Sequence, residues 1–115
     1  MRMVQEEKSL LLKQIGEAPA IKIIDFFLYN PSLDYSKQEV AGQVSMSRST
    51  FFNAWKILES SDVFTMTRKI GRASMYKLDR RNLVVKKLIE LDLALGTQAM
   101  EKAIEQKVIS LRKTS

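Results

Sequence analysis

Among the 115 residues there is neither histidine nor cysteine. The side chains that move protons near neutrality, attack as thiolates or most often hold zinc are therefore missing, and disulfide staples are excluded. The carboxylates Asp25, Glu39, Glu59 and Asp62 form no evident pair for general acid–base work. Glu39 is accounted for by the capping box Ser36-Lys37-Gln38-Glu39, and Glu59 and Asp62 flank a helix end. With only four glycines, the chain has no glycine-rich loop to cradle a phosphate. An enzyme is not expected, and no cofactor or metal is required.

The chemistry that remains belongs to cations, amides and hydroxyls. Lysine and arginine number 19 against 13 acids, a net charge of +6 with a pI near 9.7, which points to an anionic partner. Arg48, Ser49, Phe52, Asn53 and Lys56 fall on one side of a helix whose other side carries Phe51, Ala54, Trp55 and Leu58. A guanidinium pairs bidentately with guanine and a carboxamide with adenine, a phenyl ring lies against a thymine methyl, and hydroxyls and ammoniums hold phosphates. Those are the roles expected of Arg48, Asn53, Phe52, Ser49 and Lys56 respectively, with Lys37 and Ser47 beside them. Between Arg68 and Arg81, the six cations Arg68, Lys69, Arg72, Lys77, Arg80 and Arg81 face only Asp79, a net +5 in fourteen residues. Arg68, Lys69 and Arg72 are expected to meet flanking phosphates or a minor groove, with Gly71 letting the turn approach closely.

These residues need a scaffold, and the apolar spacing supplies one. Residues 3–15 read as an amphipathic helix with Val4, Leu11, Leu12 and Ile15, stopped by Gly16. A second helix begins at Pro19, carries Ala20, Ile23, Ile24, Phe27 and Leu28, and ends at Asn30-Pro31. Residues 30–35 read as a polar loop. A short helix follows the capping box with Val40, Ala41 and Val44 inward, Ser45-Met46 turn the chain, and Ser47 caps a helix to about Ser60. Phe64, Met66 and Arg68, and then Tyr76 and Leu78, alternate as two strands flanking a basic tip at Lys69-Ile70-Gly71-Arg72-Ala73. From Asn82 the period is helical again.

Two helices joined by a tight turn and followed by a hairpin are the parts of a winged helix-turn-helix. The stretch from Pro19 to Asp92 resembles the DNA-binding domains of archaeal and bacterial transcription regulators of the MarR, ArsR and TrmB-like kinds. Val40-Ala41-Gly42-Gln43-Val44-Ser45-Met46-Ser47-Arg48-Ser49-Thr50-Phe51 is similar to their helix-turn-helix core. Thr67-Arg68-Lys69-Ile70-Gly71-Arg72-Ala73-Ser74-Met75-Tyr76-Lys77-Leu78 is similar to the wing of many archaeal members. The chain departs from the pattern at Ser45, where glycine is frequent and a left-handed backbone would be required, and it lacks the paired cysteines of ArsR-type metal sensors.

The expected fold is mainly helical with a small β-hairpin wing, in three parts: an N-terminal helix over 1–16, the DNA-binding domain over 17–81 and a helical dimerisation region over 82–115. The stripe Val84, Leu88, Leu91, Leu95, Met100, Ile104, Val108 and Leu111 is longer than one small head needs to cover, with a weak point at Gly96. Leu11, Leu12, Ile15, Leu88, Leu91, Leu95, Met100, Ile104 and Val108 are the expected dimer contacts. The expected partners are double-stranded DNA and a second copy, with neither a metal nor a membrane. No signal peptide or membrane span is read, so a cytoplasmic protein is expected. The reading is a dimeric sequence-specific transcription regulator. Its alternative is a winged-helix interaction or assembly module, such as a plasmid partition, replication or polymerase-associated factor.

Overall fold

A computed structural model describes residues 9–113, apart from the side chains of residues 13–15. The first helix, α1 (Leu10–Ile15), starts where Ser9 accepts a hydrogen bond from the Leu12 amide, and it stops at Gly16, whose φ of 110° suits glycine. The turns expected from residue 3, with Val4, lie outside the described residues. Helix α2 (Pro19–Leu28) has proline at its start and buries Ile23, Ile24, Phe27 and Leu28.

The polar loop expected to end at Tyr35 instead runs into a two-residue strand, β1 (Tyr35–Ser36), paired with a later strand through Tyr35 opposite Tyr76. So short a strand has no alternation to read; it exists because a sheet edge and the rings of Phe26 and Phe27, 4.8 and 5.6 Å from that of Tyr35, receive it. Ser36 then begins α3 (Lys37–Gln43) with the expected capping box, both of its hydrogen bonds present. The turn into α4 (Arg48–Ser60) runs through an extended Val44 to the N-cap Ser47. Ser45 does not take up the left-handed backbone expected of it, since Asp62 is the one non-glycine with positive φ among the described residues. An extended Val44 turns the chain without it. The Lys22 ammonium, 2.7 Å from the Ser45 carbonyl, ties the turn to α2.

Strands β2 (Phe64–Ile70) and β3 (Ala73–Leu78) form the hairpin, and the sheet order is β1-β3-β2. The turn is tighter than expected. Lys69, Ile70 and Ala73 belong to the strands, leaving Gly71-Arg72 as a two-residue turn with Gly71 at φ 62°, as a primed hairpin turn demands. Thr67 is an extra residue in β2, because Met66 faces Tyr76 and Arg68 faces Met75. Such a bulge bends and twists its strand.

One core joins these parts: Leu11 from α1, four side chains of α2, Val40, then Phe51, Ala54, Trp55 and Leu58 of α4, with Val63, Leu78 and Val85. Each fully buried large side chain contributes about 1.5–3 kcal/mol. Helix α5 (Leu83–Lys113) is unbroken through Gly96 and 31 residues long. At about 1.5 Å per residue it spans roughly 46 Å, in a molecule 62 Å in its longest dimension.

Candidate nucleic-acid interface

The outward side of α4 carries Arg48, Ser49, Asn53 and Lys56, all exposed. Their direction follows from the inward set, since Phe51, Ala54, Trp55 and Leu58 fix the rotation of the helix. Phe52 is only half exposed. Its ring meets Phe51 edge-on at 5.0 Å, and the Arg48 guanidinium lies over its outer face, also at 5.0 Å. Arg48 is thus presented by an aromatic platform, within 3.5 Å of Gln38 on α3. Gln38, exposed and next to Arg48, was not named from sequence; its place in the first turn after the Ser36 cap was the available signal.

Ser47 and Lys37 are placed differently from the rest of the expected set. The Ser47 hydroxyl accepts from the Thr50 amide at 3.2 Å and donates to the Thr50 hydroxyl at 2.8 Å, so its side chain serves the helix cap. The Lys37 ammonium sits 5.8 Å from the ring centroids of both Trp55 and Tyr76. It lines a shallow groove of about 210 Å³ with Gln38, Ser74 and Tyr76, between the first turn of α3 and the wing.

On the wing, Lys69 and Arg72 are exposed at the tip, flanking the exposed Ile70. Arg68 is not an open cation. Its Nε and Nη2 donate to the two oxygens of Asp34, at 2.9 and 3.1 Å. The guanidinium and the Thr67 hydroxyl together hold the Asp34 carboxyl down to about 2. Arg81 likewise donates to both oxygens of Asp79, and this ion pair lowers the carboxyl below its ordinary range. The charge excess counted from Arg68 to Arg81 is therefore smaller in space than in sequence. The count could not include Asp34, which folds in from more than thirty residues away.

Asn82 joins α4 to α5. Its carboxamide donates to the carbonyls of Ser61 and Asp62, just beyond the end of α4, and accepts from the amides of Val84 and Val85. That cap sets the rotation of α5, so Val85 is fully buried and Val84, expected in the apolar stripe, is exposed. The rest of the stripe divides. Leu88, Leu91 and Leu95 pack on the chain's own core, whereas Met100, Ile104, Val108 and Leu111 are exposed. Of the expected dimer contacts on α1, Leu11 is buried in that core, Leu12 is half buried and the Ile15 side chain lies outside the described residues.

A helix-turn-helix, a hairpin wing and a small antiparallel sheet against one core define a winged helix-turn-helix fold. Among solved structures the chain is similar to the type III plasmid segregation protein TubR, at 17% identity over 79% of this chain and 94% of that one, with a TM-score of 0.53. It is also similar to a double mutant of Lactococcus lactis ZitR in apo form, at 16% identity over 90% of this chain and 84% of that one, TM-score 0.57. NadR in complex with 4-hydroxyphenylacetate matches at 17% identity over 98% of this chain and 94% of that one, TM-score 0.56. At these identities the likeness is one of fold. No family model and no curated protein matches the sequence. Among the described residues no helix is long and apolar enough to cross a membrane, and no group of three or more metal-ligating side chains comes together.

Proposed function

We propose that this chain is a sequence-specific, double-stranded-DNA-binding transcription regulator that acts as a homodimer. The observation that carries the proposal is the exposed face of α4, where Arg48 and Asn53, five residues apart, bound an outward arc that also holds Ser49 and Lys56. A helix presented this way fits a major groove, and Lys69 and Arg72 on the wing supply sequence-independent attraction to the backbone. The exposed stripe Met100, Ile104, Val108 and Leu111 supports the dimer. A two-fold pair would set two reading helices about 34 Å apart, one turn of DNA. A cytoplasmic location goes with this reading.

The likeness to TubR supports a second reading, in which the same winged helix works in plasmid segregation. Selection of bound sequences from random duplexes at several salt concentrations tests the proposal. A regulator enriches a palindromic site bound roughly a thousandfold or more tighter than random duplex. Recovery of unenriched DNA, held only at low salt, overturns it.

A further inference from the structure

Asp34 stands just before β1, yet its carboxylate reaches past β3 to β2. There it meets two adjacent residues. The Thr67 hydroxyl donates to its Oδ2, and the Arg68 guanidinium closes on both of its oxygens. Thr67 is the bulged residue of β2, the one without a partner in the ladder, and its hydroxyl also lies 3.4 Å from the Met75 carbonyl. The Asp34 side chain is 16% exposed against 60% for Arg68, so the contact is covered on the carboxylate side. A bulge re-aims the strand beyond it, and beyond this one lie Lys69, Ile70 and the Gly71-Arg72 turn.

We propose that Asp34 is a positioning residue for the wing: by holding the Thr67 bulge it sets the direction of the tip, and by chelating Arg68 it withholds that cation from the DNA backbone. Only the effect on DNA rests on the function proposed above; the fastening stands on the geometry. Arg68, which the sequence pattern places among the phosphate contacts, is on this account an anchor.

Full-length wild type, Asp34→Ala, Asp34→Asn, Arg68→Ala and Lys69→Ala are compared by amide hydrogen exchange without DNA and by salt-dependent binding to a random duplex. In Asp34→Ala, exchange at the amides of residues 67–75 quickens about threefold, as expected for loss of an ion pair that holds a local opening shut. Lys69→Ala lowers the slope of log affinity against log salt by about 0.9, the value for one phosphate contact, and Arg68→Ala leaves it unchanged. Both Asp34 variants steepen the slope by about 0.9 as Arg68 is released. Asp34→Asn keeps an acceptor for Thr67 and so gives the smaller change in exchange, which preserves the test should the alanine variant fold poorly. Unchanged exchange in both Asp34 variants overturns the fastening. A slope that falls in Arg68→Ala as it does in Lys69→Ala overturns the withheld cation. If wild type itself shows no salt-dependent binding, the DNA reading fails, and exchange alone decides the fastening.

Discussion

The indole of Trp55 lies flat on the ring of Phe64, with centroids 4.2 Å apart and planes within 10° of parallel. One ring belongs to α4 and the other to β2, the first strand of the hairpin, so a stacked pair sets the two elements against each other. Phe64→Ala is expected to destabilise the protein by about 2–3 kcal/mol, somewhat below the loss for a wholly buried phenylalanine, because Phe64 is partly exposed. Urea unfolding checks this; a loss below about 1 kcal/mol would show that the stack contributes little.

Asn82 makes four hydrogen bonds with one carboxamide, two to the end of α4 and two to the start of α5. Asn82→Ala should cost about 1–2 kcal/mol. Serine restores the cap but cannot reach both carbonyls, so Asn82→Ser should recover only part of the loss. Full recovery in thermal unfolding would assign the whole effect to the cap.

Base reading and charge attraction separate in a binding experiment. Arg48→Ala and Asn53→Ala should each weaken the selected site by about 1–3 kcal/mol and relax preference at one base position. Arg72→Ala should weaken all sequences alike and lower the salt slope by about 0.9. Equal losses on selected and random duplexes for all three would contradict a division between reading helix and wing.

Truncation after Leu95 removes Met100, Ile104, Val108 and Leu111, the exposed part of the α5 stripe, and leaves the side chains that pack on the head. Sedimentation should find the full chain dimeric at micromolar concentration and the truncated chain monomeric. A dimeric truncation moves the interface to the head, and a monomeric full chain contradicts the dimer.

Burial pushes the Asp92 carboxyl up from 3.8, and it also raises Asp25, which the nearby charge of Asp92 raises further. The folded state therefore keeps these protons to higher pH than the unfolded chain. The contribution of these two groups to stability declines as pH rises from about 3.8 through their elevated native values and levels off above them, opposite in sign to that of the lowered carboxyls Asp34 and Asp79. Asp92→Asn is expected to raise the melting temperature at pH 7, with the gain vanishing below about pH 4 as the wild-type carboxyl takes up its proton. A gain that persists at pH 3 would assign the effect to packing.

The helical elements were legible because their signals are local: Pro19 at a first turn, the reciprocal Ser36 and Glu39 bonds, and a four-residue apolar face on α4 that fixes which side Arg48 and Asn53 take. What escaped depends on distant partners. Tyr35 and Ser36 became a strand only because β3 offered an edge. Arg68 lost its place among the open cations to a carboxylate 34 residues earlier. Val84 and Val85 are adjacent apolar residues, and spacing could not choose which faces inward; the cap at Asn82 chose Val85. The aromatic platform under Arg48 is a similar case, since Phe52 reads equally well as a contact or a support until its ring is placed.

From Met100 to Lys113 every residue of α5 is exposed, and Gly96 just before them has open space where a Cβ would stand. No packing on the head requires that glycine, which weakens the helix by about 0.5–1 kcal/mol relative to alanine. A solvated helix of some four turns is marginal by itself in water. In the proposed dimer the tail draws its order from the second copy that covers it, and its helicity becomes a gauge of that association. On dilution it should unwind back to Gly96, within reach of proteases, while the head stays folded.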